Sequence, residues 1–259
     1  MGKYKTPFSA AVALGIQSGI TPFTLIGKNP DVDIAAAEDI FDTGGAWTPP
    51  SAGDTFNVVS NAAADAAAGT GARTVKLYYA DENWALQTED ITMNGETPVP
   101  TVATDIAVVY KIEALTFGSG GTNAGAITAV ADANGGATAT MIAGNNVTFM
   151  AVYPVPAGFT LLLSARKFGA FLAAGTEIGA LWEIKANSED DLSSNFLPID
   201  MDGQGDANVR RGLPYDPYIA ITEKKIVKVS IDNDADDDAI CTAFLQGYLV
   251  NDTKKKHLL

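Results

Sequence analysis

The chain has 259 residues, of which 47% are hydrophobic and 19% charged, and it carries a formal charge of −14. That balance describes a globular protein long enough for one large β domain or two small ones, and its acidic field argues against nucleic acid as a partner. One cysteine, Cys241, excludes an internal disulfide framework and a cysteine-based zinc site, and a histidine-dependent triad would have to use the lone His257 in the tail.

In chain order, residues 1–50 read as an extended N-terminal arm. Lys3 and Lys5 ahead of an apolar-leaning stretch imitate a signal peptide, but Gln17, Ser18, Thr21 and Pro22 make it too polar to span a bilayer, so no membrane partner is expected. Gly27, Asn29-Pro30, Gly44-Gly45 and Pro49-Pro50 break up long elements, leaving one helical turn at 38–41. Phe23, Leu25, Ile26, Ile40, Phe41 and Trp47 are apolar without a period of their own. Such a segment lies across another surface, either the protein's own sandwich or an adjacent subunit, and these six are the candidate interface residues.

Residues 51–140 form a first β domain. Val75, Leu77 and Tyr79 alternate with Thr74, Lys76 and Tyr78, the period of a half-buried strand. Asp81-Glu82-Asn83 is a turn, 84–93 a returning strand, and Asn94-Gly95 signals a hairpin. Further strands are expected at 55–60, 104–117 and 127–131. The alanine-rich 61–69 is read as a loop or one short helix.

Residues 141–250 form the second β domain, built on two apolar runs around Pro154-Val155-Pro156-Ala157-Gly158. Proline gives no N–H to a ladder and glycine tolerates positive φ, so this is a corner between strands. Val147, Phe149, Ala151 and Tyr153 share one face before it, and Phe159, Leu161, Leu163 and Ala165 one face after it. Residues 181–186, 226–231 and 241–250 are strands, 187–212 is a long polar loop, and 251–259 is a frayed basic tail. Turns roughly every ten residues indicate an all-β protein of β-sandwich or jelly-roll type.

No catalytic constellation stands out. Asp232, Asp234 and Asp236 place carboxylates at alternating positions, as calcium loops do, but Asp237 and Ala243 stand where an EF-hand needs glycine and glutamate. Calcium is therefore the single candidate cofactor, set against a solvated acidic turn. Gly69-Thr70-Gly71 and Gly118-Ser119-Gly120-Gly121 lack the lysine and helix of a phosphate cradle. Cys241 lies in an apolar run and reads as a buried, inert thiol. Trp47, Trp84, Trp182, Tyr78 and Tyr79 suit core or subunit packing, and a carbohydrate-binding module using surface tryptophans is the rival reading.

Several phrases in order carry a resemblance. They are Gly27-Lys28-Asn29-Pro30-Asp31-Val32-Asp33, Glu38-Asp39-Ile40-Phe41-Asp42-Thr43-Gly44-Gly45, Gly69-Thr70-Gly71-Ala72-Arg73-Thr74-Val75, Ile91-Thr92-Met93-Asn94-Gly95 and Gly121-Thr122-Asn123-Ala124-Gly125. With the Tyr153–Gly158 corner and Gln246-Gly247-Tyr248, they resemble tailed-bacteriophage virion structural proteins. That resemblance implies a β-rich, non-enzymatic particle protein with no functional residues to carry over. It leaves head decoration, head fibre and tail component open. The expected partners are further copies of the chain, a trimer above all, and the major capsid protein or other virion proteins.

Overall fold

The computed structural model describes residues 7–33, 37–135, 139–172, 179–188, 192, 195–204, 209–233 and 239–257. In chain order these form a short helix, α1 (Phe8–Ala13), and the strands β1 (Ile20–Val32), β2 (Glu38–Asp39), β3 (Phe56–Ser60), β4 (Ala72–Asp81), β5 (Leu86–Thr92), β6 (Val99–Pro100), β7 (Ile106–Phe117), β8 (Ile127–Ala131), β9 (Ala139–Met141), β10 (Val152–Pro154), β11 (Phe159–Leu172), β12 (Ala180–Asn187), β13 (Phe196–Gln204), β14 (Val209–Ile221), β15 (Ile226–Asn233) and β16 (Ala239–Asn251). The protein is all-β, and its strands pair antiparallel.

Four sheets result. Sheet I runs β1-β16-β11-β14, and sheet II runs β10-β15-β12-β13 with β2 also paired to β15. Sheet III runs β6-β3-β8-β9, and sheet IV runs β5-β4-β7. Sheets I and II enclose one core, including Phe23, Leu161, Leu163, Phe168, Trp182, Val229 and Leu245. Sheets III and IV enclose a second, including Phe56, Leu77, Ile91, Ile112, Ile127 and Met141. Period-two strands build both: on β4 Val75, Leu77 and Tyr79 turn inward as the sequence predicts, and on β15 so do Val227, Val229 and Ile231.

The segment 147–155 joins the two cores. Successive side chains of an extended chain point to opposite faces, so Met150 and Val152 enter the core of sheets III and IV while Ala151, Tyr153 and Val155 enter that of sheets I and II. Its backbone bonds to both units: Thr148 N–H donates to Ile112 O (3.0 Å), Lys28 N–H to Phe149 O (3.1 Å), and Ala151 N–H to Ile40 O (2.8 Å). The proline corner follows as predicted, with Gly158 at φ 77°, and carries the chain from sheet II to sheet I.

Four expectations are corrected. The N-terminal arm is an integral part of the fold: β1 pairs along its length with β16, from Ile20↔Val250 to Val32↔Ala239, and β2 replaces the helical turn. The unit of sheets III and IV is thus inserted between β2 and β10. Asn94-Gly95 makes no hairpin, because β5 pairs with β4 while β6 pairs with β3 in another sheet. The polar stretch 187–212 contains β13 and the start of β14. Asp252–His257 forms a 3-10 helix where a frayed tail is expected.

Candidate functional site

The open side of the unit of sheets I and II is built from the two edge strands β13 and β14. The chain runs from one to the other, yet they belong to facing sheets. What holds them is ionic. Arg166 on β11 is buried, and its guanidinium meets Asp200 and, at 3.5 Å, Asp202, both on β13. The hydroxyl of Tyr215 on β14 donates to Asp200. The guanidinium lies 5.4 Å from the Phe168 ring centre, and Phe168 stacks on Trp182 at 5.5 Å with 2° between the planes. The charged side chains of β13 therefore point into the sandwich, and its apolar ones point out: Leu197 (54% exposed) and Met201 (55%), with Ile199 between them. On β14, Leu213 and Tyr218 are also exposed. An unpaired edge with an apolar outer surface is a template for another chain.

Elsewhere carboxylates act as fasteners. Asp65 is fully buried; its oxygens accept from Ala72 N–H (2.7 Å), Ala124 N–H (2.8 Å), Gly125 N–H (2.8 Å) and the Ser60 hydroxyl (2.6 Å). It therefore ties the 61–71 loop, without a helix, to the 118–126 loop. Glu38 accepts from Asn29 (2.7 Å), Asp33 N–H (2.9 Å) and Gly45 N–H (2.8 Å). Asp39 takes the Lys228 ammonium at 2.8 Å, which also donates to Trp47 O at 3.0 Å. Burial raises the Asp39 pKa, against the pull of Lys228 and the Trp47 N–H. Asp42 accepts from Phe149 N–H (2.8 Å), but its other oxygen is buried with no hydrogen-bond partner, and burial pushes its carboxyl up to about 6. At Asp54 burial is outweighed by the N–H groups of Asn134, Ala133 and Thr55, which hold its pKa below the ordinary value.

The structure places the sequence-predicted residues as follows. Phe23, Leu25, Ile40, Phe41 and Trp47 are buried in the protein's own two cores, which corrects their assignment to a subunit interface; Ile26 alone of the six is exposed, at 48%. Their apparent lack of period comes from dividing between two cores. Asp232 is exposed at the end of β15, whereas Asp234 and Asp236 lie outside the described residues. Trp47, Trp84 and Trp182, all the tryptophans of the chain, are buried, so none offers a sugar-stacking face. Cys241 is fully buried, and burial pushes its thiol up to about 12. Sequence reasoning missed the β13–β14 side, because inward-pointing aspartates give a strand the look of a loop. The available signal was the outward series Leu197, Ile199, Met201 at period two.

Comparison with protein-family models, with curated proteins and with solved structures returns no match.

Proposed function

We propose that the chain is a non-enzymatic virion structural protein of a tailed bacteriophage, a decoration or cement protein that binds and stabilises the head shell as a homo-oligomer, taken as a trimer. The two layered units are read as its jelly-roll-like domains. The resemblance of the glycine-containing phrases supports the reading, and the β13–β14 side is the observation that carries it. Two adjacent strand edges expose Leu197, Ile199, Met201, Leu213 and Tyr218, while the carboxylates of β13, Asp200 and Asp202, are turned inward to Arg166. Closed symmetry multiplies a modest contact of this kind over a particle surface.

The test combines light scattering on the purified protein with co-sedimentation on tail-free heads stripped of it. A defined oligomer, lost in Leu197→Asp with Met201→Asp, and saturable pelleting are expected. A monomer at all concentrations that fails to pellet with heads would overturn the reading, and pelleting with tails alone would move the protein to the tail.

A further inference from the structure

A second surface lies on the opposite edge of sheet I and does not depend on that reading. One hollow of about 470 Å³ opens on the outer face of the sheet, between Ile26, Lys28, Phe149, Lys167, Phe171 and Phe244. A second, of about 320 Å³, lies against Phe23, Thr24, Leu25 and Ile26 on one wall and Tyr110, Thr148 and Tyr153 on the other. They share Ile26 and Phe149, so they form one groove.

Four consecutive residues of a strand point alternately to its two faces, so a hollow touching all of 23–26 must run along the strand's edge. β1 is the terminal strand of sheet I. Lys28 N–H reaches outward from that edge to Phe149 O. By period two, the backbone groups of Thr24 and Ile26 face the same way. Among the described residues they make no backbone hydrogen bond there. From Pro22, which offers a carbonyl but no N–H, to Ile26 this edge is about 13 Å long, the reach of about four extended residues.

The charge is equally specific. The chain has 31 acidic residues against 17 lysines and arginines, yet Lys28 and Lys167 border the groove with no carboxylate within ion-pair distance among the described residues. Lys167 instead lies 5.7 Å from the Phe244 ring centre. Lys111, which also lines the groove, is committed to Glu113 at 2.7 Å.

We propose that this groove receives an extended segment of a partner protein in which apolar and acidic side chains alternate, added as a strand to the free edge of β1. Its apolar side chains fill the second hollow, its carboxylates, on the opposite face of the added strand, meet Lys28 and Lys167 at the first, and its backbone bonds to Thr24 and Ile26, the mode of recognition known as β-augmentation. A small anionic amphiphile would use the hollows and the lysines but not the strand edge.

The test is fluorescence anisotropy with a labelled eight-residue peptide of alternating leucine and aspartate. Comparison peptides replace aspartate by lysine, replace leucine by serine, or carry backbone N-methyl groups at every second residue. Saturable binding of the first is expected, with each of the others weaker by at least about tenfold. Lys167→Glu, at an exposed site, should invert the preference between the aspartate and lysine peptides, and Ile26→Asp should abolish binding, with thermal melts confirming that both variants fold. Equal binding of the aspartate and lysine peptides, or no effect of Lys167→Glu, would overturn the proposal. So would equal binding of the N-methylated peptide together with its displacement by dodecanoate, which would assign the hollows to a small amphiphile.

Discussion

Replacing Asp42 by asparagine tests the physical account of the junction between the two units. Asp42 is almost wholly buried, with one backbone donor, from Phe149, and one oxygen left without a partner. Its carboxyl is raised from 3.8 to about 6 by burial, against the N–H of Phe149 and the positive charge of Lys28. Between those two values the native state holds a proton that the unfolded chain has released, so stability falls as pH climbs through this window and the loss is complete above it. Two pH units at about 1.4 kcal/mol each give about 3 kcal/mol, which screening near Lys28 reduces to about 2 kcal/mol. Asparagine keeps an acceptor for Phe149 N–H and removes the charge. Asp42→Asn is therefore expected to stabilise the protein by about 2 kcal/mol at pH 8, raising Tm by about 4–8 °C for a chain of this size. At pH 4 the gain should nearly vanish. Thermal melts of both proteins from pH 4 to 8 measure this, since the difference between them isolates Asp42 from the other carboxylates. A gain of the same size at both ends, or a loss at pH 8, would refute the reasoning.

Three further outcomes follow from the buried groups. Lys228→Met should cost about 3–5 kcal/mol in urea unfolding at pH 7, because it strands the Asp39 charge, and adding Asp39→Asn should recover most of that loss; a cost below about 1 kcal/mol would show that the pair is not desolvated. Asp65→Ala removes the acceptor of three N–H groups, two of them buried, and of a hydroxyl, so it should cost about 3 kcal/mol and expose the 61–71 loop to limited proteolysis; an unchanged digestion pattern contradicts the fastening role. Cys241 should react with a thiol reagent such as dithionitrobenzoate only at the rate of global unfolding, as its buried, proton-retaining thiol requires; fast labelling under native conditions would place it elsewhere.

What was legible in the sequence was local. Val75, Leu77 and Tyr79 announce β4 because one face meets one core, and Pro154 and Pro156 announce a corner because their own ring geometry makes it. β1 was hidden although its burial alternates from Phe23 to Asn29. Its inward positions include Gly27 and Asn29, which are not apolar. A Cβ on Gly27 would lie 2.5 Å from that of Ala151, and Asn29 is there to hold Glu38. Likewise Asp200 and Asp202 make β13 look like a loop until Arg166, over thirty positions away, is seen to neutralise them. The β13–β14 side was missed for that reason. The groove was missed because the free edge of a strand is a property of the sheet order, which no local pattern encodes.

The pairing of β1 with β16 also has a consequence in time. Ile20 emerges from the ribosome long before its partner Val250. At about 5–20 residues per second the first strand waits on the order of 10–45 s for the last. Strands β3 to β9 are complete well within that interval, so the inserted unit has time to fold while Phe23 and Leu25 are still uncovered. The apolar strand that ends at the edge of sheet I is, during synthesis, a stretch open to wrong partners, and slowing translation beyond residue 200 should lower the yield of native protein more than slowing it before residue 140.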